Sequence, residues 1–198
     1  MIQLTIVKMV GRDSRVNPLL DRWLLRMAAR GHLVDLSPEP GPEVGGARNG
    51  LVKHFRDFGR TEYLLLVDAD QIWDPAADPI LSAPGDVLYC DYISQFGALA
   101  HGGELGCGCL RVSRHALRRI TPPWFQFRRD AHGCRLEECE CRWFLARARE
   151  AGLEPRSVGR IGHIVPFVAM PDAEGRMCLK TLALAMKEAF ETDGRTPL

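Results

Sequence analysis

The stretch Glu62-Tyr-Leu-Leu-Leu-Val-Asp-Ala-Asp70 decides the fold. Its apolar run, residues 63–67, is too short for a helix and has the composition of a strand buried on both faces of a parallel sheet. The run stops abruptly at two carboxylates, Asp68 and Asp70, separated by one small residue. Ligands of open α/β sheets bind beyond the carboxyl ends of the strands, so these acids are placed to project into a crevice. Two hard oxygen ligands at such a point suit Mg²⁺ or Mn²⁺, ions that share their coordination with substrate phosphates.

Working outward, residues 4–10 read as a first strand closed by the turn-prone Gly11-Arg-Asp-Ser14. Asn17-Pro18 opens a helix whose face carries Leu19, Leu20, Trp23, Leu24, Met27 and Ala28, and Gly31 ends it. Residues 32–36 form a second short strand, 37–46 a Pro/Gly-rich loop, and 47–58 a helix with Leu51, Val52 and Phe55 at helical spacing. Beyond the acidic strand, Asp74-Pro75 makes a turn and residues 86–92 and 104–112 read as strands. Ser113 caps a short basic helix, and Thr121-Pro-Pro-Trp-Phe125 is an extended link. The pattern further predicts a helix over 136–151 stopped by Gly152, a strand over 157–165 carrying His163, and a C-terminal helix over 178–191. Strands alternating with helices imply a mostly parallel sheet flanked by helices in one α/β domain. The chain is expected to divide at about residue 75, into halves of about 1–75 and 76–170.

The 198 residues suffice for one well-buried domain, and 46% hydrophobic with 26% charged residues is ordinary for a globular chain. A formal charge of +1 provides no basic field for nucleic acid. No apolar run approaches a membrane span and the first residues lack a basic leader, so the expected location is cytoplasmic. Cysteines stand at 90, 107, 109, 134, 139, 141 and 178. Cys134, Cys139 and Cys141, with His132 beside them and Cys107 and Cys109 upstream, could hold zinc. Their C-x-C spacing, however, departs from the usual C-x2-C or C-x4-C, and free thiols acting as small hydrophobes are the simpler reading.

Four motifs occur in order: Ala47-Arg48-Asn49, Asp68-Ala-Asp70, Gly106-Cys-Gly-Cys-Leu-Arg-Val-Ser-Arg114, and the set Trp124-Phe125, Glu140-Cys141-Arg-Trp-Phe144, Arg147-Ala-Arg-Glu-Ala-Gly152 and Gly162-His163. In this order they resemble the GT-A glycosyltransferases, especially small family-2-like bacterial and phage members. The resemblance spans about residues 2–165 and implies transfer of a sugar from a nucleotide-sugar donor, UDP- or GDP-linked above all, to a small-molecule, glycan or peptide acceptor. It further implies Mn²⁺ or Mg²⁺ held by Asp70 and His163, with Asp68 on the metal or donor ribose, Asp35 at the nucleobase and Arg48 at phosphate. Gly106, Trp124 and Phe125 would line the acceptor side. Inverting relatives carry Glu-Asp where this chain has Glu140-Cys141, and the missing Asp is usually the base. That leaves Glu140 or Glu138 as base, a retaining mechanism, or lost catalysis. Two rival readings remain: a non-catalytic or cysteine/zinc-binding module on the same fold, and a nucleotidyltransferase, for which Gly11-Arg-Asp-Ser-Arg15 is a thin match.

Overall fold

A computed structural model describes residues 2–9, 17–35, 44–92, 107–132, 136–164, 167–171 and 177–181. In chain order these form β1 (Leu4–Met9), α1 (Pro18–Ala29), β2 (Leu33–Asp35), α2 (Val44–Phe58), β3 (Tyr63–Asp68), β4 (Gln71–Ile72), a 3₁₀ helix (Pro75–Leu81), β5 (Val87–Asp91), β6 (Cys109–Ser113) and α3 (Arg114–Arg119). They continue with β7 (Arg128–Arg129), β8 (Leu136–Glu138), α4 (Glu140–Glu150), β9 (Arg156–Arg160), β10 (Gly162–His163), β11 (Phe167–Pro171) and β12 (Met177–Thr181).

The main sheet has the order β2-β1-β3-β6-β5-β9. β6 runs against its neighbours β3 and β5, and the other strands share one direction. β3 lies inside this sheet and is buried on both faces, which accounts for its unbroken apolar run. Its alternate side chains enter two cores. Leu64 and Leu66 pack with Val52, Phe55, Leu110, Trp124 and Phe144. Leu65 and Val67 pack with Leu20, Trp23, Leu24, Met27 and Leu88 on the opposite face. α1 buries Leu20, Trp23, Leu24 and Met27, whereas Leu19 is exposed. Gly31 and Gly152 take φ of +89° and +69° just beyond α1 and α4, the left-handed turn that glycine makes at least cost.

The structure corrects several predicted elements. The helix predicted over 136–151 begins only at Glu140, with Cys139 as its N-cap. Residues before it form β8, which pairs with β7 and sets Arg128 within 3.4 Å of Glu138. Strand pairing and cross-strand charge here override helix propensity. The strand predicted over 157–165 is split at Ile161, whose N–H donates to the Asp91 carbonyl at 2.9 Å before the chain turns to pair with β4. Residues 178–181 of the predicted C-terminal helix lie in β12, antiparallel to β11, and 182–191 fall outside the described residues. The Gly11–Ser14 turn, Gly106, Cys134 and residues 37–43 also fall outside them, while residues 44–46 are helical and not loop. Among the described residues, no helix is long and apolar enough to cross a membrane.

Candidate functional site

Beyond the carboxyl edge of the sheet, the tip of β3 is held from three sides. The Asp68 N–H donates to the Gly108 carbonyl and the Ala69 N–H to the Met9 carbonyl, both at 2.8 Å. Asn17, buried at the start of α1, donates through Nδ2 to the carbonyls of Ala69 at 2.9 Å and Gln71 at 2.7 Å. Its Oδ1 accepts from the Leu20 N–H at 3.2 Å, so one amide both caps a helix and fixes the acidic turn.

Asp70 and His163 meet at this tip. His163 Nε2 lies 3.2 Å from Asp70 Oδ2, and the Ile164 N–H donates to the Asp70 carbonyl at 2.8 Å. The β4–β10 pairing sets His163 opposite Gln71 and so creates the proximity. The Asp70 side chain is 51% exposed and that of His163 15%. Burial pushes the Asp70 carboxyl up, but the His163 and Gln71 hydrogen bonds outweigh it and hold the group below the ordinary carboxylate value.

Asp68 points instead into a buried ion cluster. Arg48, from α2, is 2% exposed, and its Nη2 donates to both Asp68 oxygens at 2.7 and 2.9 Å. Its Nη1 donates to Glu140 Oε1 at 2.6 Å. Expected at a phosphate, Arg48 is instead turned inward between two carboxylates. Burial disfavours its charge, yet Asp68, Cys107, Cys141 and Glu140 together raise it well above its ordinary value. The Asp68 carboxyl is raised, since burial and the charges of Asp70 and Glu140 outweigh Arg48.

Glu140 opens α4, nearly buried, with Cys141 behind it. Cys141 Sγ accepts the Cys107 N–H at 3.2 Å and lies 3.6 Å from Glu140 Oε1. Glu138 lies on the β7–β8 hairpin beside Arg128. Asp35 ends β2 in register with Val7, on the edge strand beyond β1. Trp124 and Phe125, expected as an acceptor-side aromatic surface, are core residues at 3% and 2% exposure. Phe125 stacks on Phe144 with ring centroids 4.9 Å apart.

Sequence reasoning passed over three contributors. Asn49 accepts the N–H groups of Trp124 and Phe125 at 2.9 and 3.0 Å and donates to the Phe125 carbonyl at 2.6 Å. Tyr92, just past β5, sets its ring edge-on to His163 at 5.1 Å. Burial, then Cys141 and Asp68, push its hydroxyl far up, so it keeps its proton. Gly108 makes room for this packing: a Cβ there would stand 2.8 Å from Gln71 Nε2 and 3.1 Å from Tyr92 Cε1. The position of Tyr92 just past a strand end was the available signal for it. None existed for the Asn49 contacts, which span about 75 residues.

No protein-family model and no curated protein sequence matches the chain. Solved structures do. The chain is similar to A197 from STIV at a TM-score of 0.58 and 15% identity, covering 91% of this chain and 95% of that one. It is also similar to a point variant of Drosophila β-1,4-galactosyltransferase 7 in complex with manganese, UDP-Gal and xylobiose. That match has a TM-score of 0.50 and 12% identity, covering 91% of this chain and 94% of the other. The fold is that of the GT-A glycosyltransferases. Its sheet, with one reversed strand beside the acidic tip, is the frame on which the residues above are set.

Proposed function

We propose that this protein is a metal-dependent glycosyltransferase that moves a sugar from a nucleoside-diphosphate-sugar to a nucleophilic acceptor. The observation that carries the reading is the approach of Asp70 Oδ2 and His163 Nε2 to 3.2 Å at the carboxyl edge of the sheet. A half-exposed carboxylate kept ionised beside an imidazole is a donor set that suits Mn²⁺. Such an ion would be held by Asp70 and His163, and when bound it supplies Lewis-acid neutralisation of the diphosphate leaving group.

The other roles follow from the remaining contacts. Arg48 keeps Asp68 in one orientation at the tip, ready to accept a hydrogen bond from the donor ribose. Glu140 is our assignment for the group that takes the acceptor proton. Its Oε1 accepts from Arg48 Nη1 at 2.6 Å, which holds the carboxylate in place at the start of α4. Tyr92, keeping its own proton, supports the His163 ring edge-on.

Sugar release and transfer from UDP-, GDP-, CMP- and dTDP-sugars with Mn²⁺ tests the reading. We expect turnover of one donor class, abolished in Asp70→Ala and reduced about 10²–10⁴-fold in Glu140→Gln with donor affinity retained. No turnover of any donor, or turnover unaffected by Asp70→Ala, would overturn it. Unchanged transfer in Glu140→Gln, with no gain in Cys141→Asp, would remove the base from both positions.

A further inference from the structure

Outside the Asp70–His163 pair, the first turn of α4 carries a second set of metal-ligating side chains. The ligand atoms of Cys139, Glu140 and Cys141 all lie within 4.8 Å of one another. In a tetrahedral site with zinc–thiolate bonds of about 2.3 Å two sulfurs stand about 3.8 Å apart, so side-chain rotations that draw these atoms together by up to about 1 Å bring all three around a single ion. The C-x-C spacing, unfavourable on a uniform helix or strand, works here because Cys139 is the N-cap. Its backbone is extended (φ −78°, ψ 161°) while Glu140 and Cys141 are helical, so the two thiols fold toward each other across the helix start.

A distant part of the chain positions one of these sulfurs: the Cys107 N–H donates to Cys141 Sγ at 3.2 Å. The Arg48 guanidinium, 2.6 Å from Glu140, offsets the negative charge that two thiolates and a carboxylate bring together. Soft sulfur ligands select a different ion from the oxygen and imidazole donors at the sheet edge.

We propose that Cys139, Glu140 and Cys141 form a binding site for a thiophilic divalent cation of the zinc class, with the Cys107 backbone N–H positioning the Cys141 sulfur. This site is separate from the Asp70–His163 pair but takes Glu140, the carboxylate assigned above as base, so an ion bound there would occupy that group; the site stands on its own geometry, and its test reads metal binding alone. On binding, each coordinated sulfur releases its proton to solvent, and no electron is transferred.

Cobalt(II) is the probe, added to the reduced, metal-stripped full-length chain, with thiolate-to-cobalt charge-transfer absorption as the signal. One ion per chain should saturate the band and Zn²⁺ should displace it. Cys139→Ser and Cys141→Ser should lose it while keeping the wild-type far-ultraviolet circular dichroism, and His163→Ala should retain it. In the unmutated protein, one equivalent of Zn²⁺ should protect Cys139 and Cys141 from iodoacetamide, read by mass spectrometry. A missing band at one equivalent, a band that survives in both serine variants, loss of the band in His163→Ala, or unchanged alkylation of both thiols would each overturn the proposal.

Discussion

Arg48 concentrates the physics of this site in one side chain. It sits at 2% exposure between Asp68, whose side chain is 27% exposed, and Glu140, at 10%. Removing one member of a buried ion cluster leaves uncompensated charge in a region of low polarity, which typically costs about 3–5 kcal/mol. Arg48→Met should therefore lower the unfolding free energy by about that amount in urea denaturation. Arg48→Lys should recover only part of it, because an ammonium cannot reproduce the guanidinium fork that reaches both carboxylates at once. If Arg48→Met proved neutral, Asp68 and Glu140 would have to be solvated or protonated in the fold, and their tie to Arg48 would carry no stability.

Between elements, asparagines do the joining that hydrophobic packing leaves unspecified. Asn49 reaches from α2 to the backbone of Trp124 and Phe125, satisfying two N–H groups and one carbonyl. Asn49→Ala strands all three, and an unsatisfied part-buried polar group costs about 1–3 kcal/mol. We expect a total loss of about 3 kcal/mol, because some groups regain water, and a smaller loss in Asn49→Asp, which keeps the acceptor and loses only the donor. Equal midpoints for the two variants would show that the donated bond to Phe125 dominates. Such joints also mark what sequence could and could not yield. The β3 strand, its acidic tip, the caps of α1 and the two helix-stopping glycines were legible because each is written in adjacent residues. The start of α4 at Glu140 was not, because β8 owes its strand form to pairing with Arg128 and Arg129. Nor was the inward turn of Arg48, whose partner Glu140 lies 92 residues away. The reversed direction of β6 was equally hidden, since strand direction is set by the path of the connections and leaves no mark in the strand itself.

At the scale of the whole molecule, the site draws on α2, β3, the loop past β5, α4 and β10, so no local segment holds it alone. A ligand that engages only the assembled edge must therefore stabilise the entire domain by mass action, about 2.7 kcal/mol at a hundred-fold excess over its Kd. For a chain of this size 1 kcal/mol moves the melting temperature by roughly 2–4 °C, so the full shift is roughly 5–10 °C. On the proposed function, Asp70 and His163 offer an ion only two groups, and diphosphate oxygens complete the set. UDP or GDP together with Mn²⁺ should then produce the shift, while either component alone, or the matching monophosphate with Mn²⁺, should produce much less. Asp70→Ala should melt close to the unliganded wild type, since a half-exposed strand-end acid contributes little to stability, and should lose the combined shift. A shift of equal size with EDTA present would place nucleotide binding on contacts other than the Asp70–His163 pair, and the metal would lose its part in donor recognition.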